Sequence, residues 1–109
     1  MKYDFWVQDP YKTFLLNWQK TVEWRLNKGK FWKIVTWDIL YFDSWEEFEV
    51  LEKKIYKSFY EMMKKEGLEN VLPDKNDIQN WVESVYYKFY SKDLEKKFWV
   101  AAIKVKRIK

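Results

Sequence analysis

The stretch Lys20-Thr21-Val22-Glu23-Trp24-Arg25-Leu26-Asn27 alternates without a break. Val22, Trp24 and Leu26 share one face, and Thr21, Glu23 and Arg25 share the other. A period of two over this length reads as a half-buried β-strand with a charged face. That face is the first candidate site. Arg25 is a fixed cation with a planar fork suited to phosphate or carboxylate. Lys20 is a mobile cation or, if buried, a proton acceptor, and Glu23 can hold both or accept from a ligand. Periodicity alone also fits an ordinary charge pair on a solvated strand.

The flanking segments supply the rest of a small α+β domain. Residues 2–7 read as a strand. Asp9-Pro10 opens a helix to about Asn17 that buries Phe14 and Leu15, with Asp9 as N-cap and Pro10 in the first turn. Residues 28–37 form a basic connection turning at Gly29. Asp38–Asp43 and Glu47–Tyr56 are strands around a turn at 44–46. Ser58 caps a helix through Lys65, with Glu61 at the capping-box position and Gly67 as its stop. A further helix runs from Asn76 or Asp77 to about Tyr90, a helical turn spans Lys92–Lys97, and residues 98–108 are a last strand. Five or six short strands with inserted helices predict a small curled sheet or partly closed β-barrel, helices at its ends. No linker interrupts residues 1–109, which read as one domain.

Composition narrows the chemistry. The chain has no cysteine and no histidine. Disulfides, thiol catalysis and His/Cys zinc sites are therefore excluded, and acid–base work would fall to Glu, Asp, Lys or Tyr. No cofactor or metal is expected. The absence of cysteine favours a reducing cytoplasm, and no apolar run is long enough for a membrane span. A net charge of +4 permits a polyanionic partner or simply a lysine-rich surface. Lys104, Lys106, Arg107 and Lys109, together with Lys28, Lys30 and Lys33, could form one phosphate-tracking rim or a charged sheet edge. Tyr86, Tyr87 and Tyr90 could stack on bases; their helical spacing also fits core or rim.

The run from Trp18 to Leu26 resembles the signature of the ASCH family, Gly-x-Lys-x-x-Glu-x-Arg, with Lys20, Glu23 and Arg25 in register and Trp18 in place of glycine. The resemblance continues through Trp37-Asp38-Ile39-Leu40, Tyr56-Lys57-Ser58-Phe59, Lys65-Glu66-Gly67, Val71-Leu72-Pro73, Tyr87-Lys88-Phe89-Tyr90 and Trp99 to Ile103. It implies a PUA-like β-barrel of five to six strands with helices packed at its ends. It also implies an RNA-binding domain that recognises RNA or a nucleotide in a cleft lined by Lys20, Thr21, Glu23 and Arg25. Glu66 is added because family enzymes place an acidic residue near this helix end. The alternative implied is a small amidohydrolase acting on a modified nucleoside such as N4-acetylcytidine, with Lys20, Glu23 and Glu66 as catalytic groups. The threonine such enzymes use is replaced by Glu23, and Thr21 is displaced by two residues, which removes the covalent route. Binding is therefore the preferred expectation.

The departures from the family share one character. The chain has eight Trp and two Gly, where about 7% Gly is ordinary. Trp6, Trp18, Trp24, Trp37, Trp45, Trp81 and Trp99 fall where the family has or accepts glycine, and Trp32 lies in a variable connection. Trp37 and Trp45 lie in apparent turns, which often need the positive φ that glycine supplies. These observations raise the expectation that UGA codons read as glycine in the source have been written as tryptophan.

Overall fold

A computed structural model of the chain describes residues 1–74 and 91–109. The expected helix from residue 76 to 90, with Trp81, Tyr86, Tyr87 and Tyr90, lies outside these residues. The strands are β1 (Lys2–Asp4), β2 (Val22–Leu26), β3 (Ile39–Tyr41), β4 (Glu47–Tyr56) and β5 (Val100–Arg107). The helices described are α1 (Tyr11–Leu16), α2 (Lys30–Lys33), α3 (Phe59–Glu66), α4 (Leu68–Val71) and α5 (Lys92–Phe98). The strands form one sheet in the order β1-β3-β4-β5-β2. It curls into a half-barrel, as the strand and helix pattern predicts. Among the described strands only β1 and β3 are parallel; the other pairs are antiparallel, and a bulge between Val50 and Glu52 interrupts β4 against β5.

Two strands hold the fold together. On β5, Ala101, Ile103 and Val105 enter a core with Phe5, Phe42, Phe48 and Ile34. Val100 and Ala102, on the opposite face, enter a second core with Phe59, Met62, Met63 and Val71. Burial on both faces explains why residues 100–103 are uninterrupted apolar residues rather than alternating ones. In the first core Phe5 stacks on Phe42 with centroids 4.4 Å apart, and Phe48 meets both rings edge-on. On β4, Phe48 and Val50 turn inward while Glu47 and Glu49 lie toward solvent, as their alternation requires.

Local chemistry sets the helix ends. Ser58 accepts from Glu61 N at 3.0 Å and Gly67 ends α3 at φ 93°, as expected from the sequence. Helix α1 begins at Tyr11, after Pro10 rather than at it. Asp9 still ties the first turn by accepting from Thr13 N at 3.1 Å and Thr13 Oγ1 at 2.8 Å. Helices α2 and α4 occupy segments expected to be connections. The end of α2 is held from another strand: Lys53 Nζ donates to the carbonyls of Phe31, Trp32 and Ile34 at 2.6–3.1 Å. A cation there satisfies carbonyls that the helix leaves open.

Among the described residues, positive φ occurs at Gly29, Gly67, Trp18, Trp37, Trp45 and Trp99. No other residue type adopts it there. Six of the seven described tryptophans, all but Trp24, are exposed. The other half-buries its ring against Phe59, with centroids 4.4 Å apart.

Candidate functional site

The charged face of β2 is not solvated. Glu23 pairs with Ile103 and Arg25 with Ala101 across the β2–β5 ladder, so both side chains share the face that carries the barrel core. Glu23 is 3% exposed and Lys20 is 2% exposed. Of the two readings of this half-buried strand with a charged face, the solvated charge pair is the one that does not hold, because Lys20 and Glu23 are buried. The strand's apolar face packs on the second core through Val22 and Trp24, and its polar face turns into the sheet's concavity. Helices on one face and core on the other cover the strand except at its edge, where Arg25 is partly exposed.

The three motif residues do come together. Glu23 Oε1 lies 3.2 Å from Arg25 Nη1 and 3.8 Å from Lys20 Nζ. It also accepts from Trp24 N at 2.9 Å. Lys20 Nζ donates to Val22 O at 2.7 Å and to Val71 O, which links the strand to the end of α4. Arg25 donates to the carbonyls of Trp24 and Trp6 at 2.9 and 2.6 Å and lies 5.3 Å from the Phe31 ring centroid. A fifth of its side chain is exposed, so Arg25 marks the open edge of the cluster. Glu23 Oε2 is buried and has no hydrogen-bond partner among the described residues.

Burial pushes the Lys20 ammonium down to about 8, and Arg25 pushes the same way, while Glu23 and Asp74 hold it up. Buried ions cost several kcal/mol each unless paired, and apolar replacements are often as stable. A cluster of this kind, with a depressed lysine, is a functional-site candidate on physical grounds.

Tyr11 and Asp74 were missed from the sequence. The Tyr11 ring lies 5.9 Å from Lys20 Nζ. Burial, followed by the charge of and hydrogen bond to Asp74, raises its hydroxyl to about 12. They come from α1 and the segment after Pro73, and no local pattern joins them to β2.

Thr21 is engaged through its backbone: its N–H donates to Asn70 O at 2.9 Å and its carbonyl accepts from Val105 N at 2.9 Å. Glu66 accepts from the Tyr56 hydroxyl, and Asn70 Nδ2 donates to the Glu66 carbonyl at 2.9 Å. No hydrogen bond or ion pair joins Glu66 to Lys20, Glu23 or Arg25 among the described residues. Burial and the Glu66 carboxylate together raise the Tyr56 hydroxyl pKa.

The basic residues form two groups rather than one rim. Lys28, Lys30 and Lys33 join Lys97 around an open cavity of about 800 Å³, with Tyr3, Asn27 and Phe98 in its wall. Lys28 Nζ and Lys97 Nζ lie 5.4 and 5.3 Å from the Phe98 ring centroid. Asn27 Oδ1 is buried there without a partner among the described residues. Lys104, Lys106 and Arg107 lie toward the other end of β5, about 20 Å along the strand at its usual rise. This cavity begins where β2 ends, beyond Leu26, and is not the space around Lys20.

The described residues hold no group of His, Cys, Asp or Glu fit for a metal ion and no helix long and apolar enough to cross a membrane. Fold and site define a small α+β half-barrel protein with a buried Lys–Glu–Arg cluster. The solved structures extend this. The crystal structure of hypothetical protein PH0355 is similar at 37% identity and TM-score 0.92, over 99% of this chain and 100% of that one. The solution structure of protein PF0455 from Pyrococcus furiosus is similar at 33% identity and TM-score 0.83, over 100% of this chain and 99% of that one. The chain belongs to one family with these proteins. No protein-family model and no curated protein matches it.

Proposed function

We propose that the protein is an ASCH-type RNA-binding domain, recognising RNA or a nucleotide at Lys20, Glu23 and Arg25. The observation that carries this reading is Glu23 Oε2, a buried carboxylate oxygen without a partner among the described residues. Native structures rarely leave such an acceptor unmet. An N–H from the edge of an unstacked base would satisfy it, in the way single-stranded RNA is read. Arg25, at the open edge, supplies a planar fork for phosphate or a base. The lysines around the cavity beyond Leu26 supply positive charge for the adjoining backbone.

A second reading is favoured by the burial of Lys20 beside Glu23, which lowers its ammonium to about 8. A lysine near 8 has an appreciable neutral fraction at physiological pH and can take a proton. With Glu23 beside it, the same site would hydrolyse an amide such as that of N4-acetylcytidine by direct attack of water. Glu66, held by Tyr56, would have to move to join it.

Titration of single-stranded and structured RNA at several salt concentrations tests the first reading, and incubation with N4-acetylcytidine tests the second. Salt-dependent binding that is lost in Arg25→Ala, without turnover, supports the RNA-binding domain. Turnover that disappears in Lys20→Ala supports the amidohydrolase. Neither binding nor turnover would sink both.

A further inference from the structure

We infer that the biological chain carries glycine at positions 18, 37, 45 and 99, encoded by UGA read as glycine. The backbone carries the argument, position by position. A bulky residue at positive φ is a genuine outlier, yet the four non-glycine residues with positive φ among those described are all tryptophan.

Each occupies a place where glycine has a defined role. Trp18 follows Asn17 at the end of α1, with φ 71°. Its N–H donates to Leu15 O at 3.4 Å, the bond expected of the left-handed residue in a Schellman-type cap. Trp37 has φ 81° and is the third residue of the turn closed by Asp38 N to Val35 O at 3.1 Å. Positive φ at that position is the type II pattern, which calls for glycine. Asp38 locks the turn by accepting from Val35 N at 3.0 Å through its side chain. Trp45 has φ 82° and is the last of the three loop residues, Asp43 to Trp45, that Phe42 and Glu46 close between β3 and β4. Trp45 N donates to Phe42 O, and Phe42 N to Glu46 O, both at 3.0 Å. Such loops end on a left-handed residue, usually glycine. Trp99 has φ 62° and ψ −174° at the end of α5, a region essentially reserved for glycine.

The side chains give little back; the Trp99 ring meets Lys57 Nζ 5.9 Å from its centroid. Trp18, Trp37, Trp45 and Trp99 are all exposed, although tryptophan is highly buried on average. The indoles therefore gain little burial to offset the strain beneath them. The two genuine glycines, Gly29 and Gly67, sit at positive φ as well, so all the positive-φ positions described form one set. A reassigned codon acts wherever it occurs, so Trp6, Trp24, Trp32 and Trp81 change too if they share it. The chain would then have ten glycines in place of two, close to ordinary usage.

The test reads the source gene and the masses of peptides from the protein purified from its source. UGA at codons 18, 37, 45 and 99, with glycine masses in the peptides, is the expected result. UGG, or UGA with tryptophan masses, overturns the inference. A second measurement checks the physical cause in protein made with tryptophan throughout. Trp37→Gly, Trp45→Gly and Trp99→Gly should each raise Tm by several degrees, and the matching alanine variants by less, because alanine keeps the Cβ. Equal effects of glycine and alanine would show that the indole rather than the backbone is at fault, and would remove the argument from φ.

Discussion

Arg25 Nη1 lies 3.2 Å from Glu23 Oε1, and Lys20 Nζ lies 3.8 Å from the same oxygen. One carboxylate oxygen thus serves two cations while its twin has no hydrogen-bond partner among the described residues. Glu23→Ala leaves Lys20 buried without this partner. Breaking a buried pair in this way costs about 3–5 kcal/mol, and urea unfolding should show a loss of that size. The double variant Lys20→Met/Glu23→Leu removes the two buried charges, leaves Arg25 at the partly exposed edge, and should recover most of it. RNA binding should be absent in both. A double variant that regains stability and also binds RNA would show the cluster to be structural only.

The cavity lysines make a different prediction. Lys28, Lys33 and Lys97 have no carboxylate within ion-pair distance among the described residues, whereas Lys30 lies 3.3 Å from Asp4. Each lysine that neutralises a phosphate adds about one to the slope of log K against log salt. Lys28→Ala/Lys97→Ala should therefore weaken RNA binding and lower that slope by about two. Stability should stay within about 0.5 kcal/mol, as for most surface changes. An unchanged slope would remove the cavity from the RNA path.

Much of this arrangement was legible in the chain. The bounds of β4, the Ser58 cap and the Gly67 stop follow from alternation and capping chemistry, which are local. The motif residues on β2 were legible for the same reason. Their burial was not, because alternation reports that two faces differ and not which one meets solvent. Here Ile103 and Ala101 place the polar face against core, and that is settled by β5, eighty residues away in the chain. Tyr11 and Asp74 escaped for the same reason. Helix α2 escaped because Lys53, on β4, holds its carbonyls. The single rim of basic residues failed on direction: β5 carries its own cations away from those near Gly29.

The ends of α3 support the site indirectly, because α3 leads into α4, where Val71 O receives Lys20. Ser58→Ala removes the acceptor for Glu61 N and should cost about 1 kcal/mol. Gly67→Ala should cost more than that. Its Cβ would sit 3.0 Å from Glu69 Oε1 and 3.1 Å from Asn70 Nδ2, at φ 93°. Asn70 O receives Thr21 N, so a shift there reaches β2. Thermal melts of the two variants check the order; Ser58→Ala as the more damaging change would contradict it.

Lys20 sets a pH dependence whose sign can be stated. Its pKa is near 8 in the folded chain and near 10.4 when unfolded. Well below pH 8 it is charged in both states, and the burial penalty is fully present. Between about 8 and 10.4 the unfolded chain binds more protons, so Lys20's contribution to stability rises with pH. Over pH 7.5–9.5 the gain should be about 2 kcal/mol. Tyr11, raised to about 12, acts oppositely only above about pH 10, where unfolded tyrosine ionises. Within the lower window the wild-type profile should therefore climb relative to Lys20→Met. RNA affinity should fall over the same range, because binding loses a cation as Lys20 becomes neutral. Parallel stability profiles for the two proteins would mean that Lys20 keeps its proton throughout, and would remove the ground for a lysine base in the amidohydrolase reading.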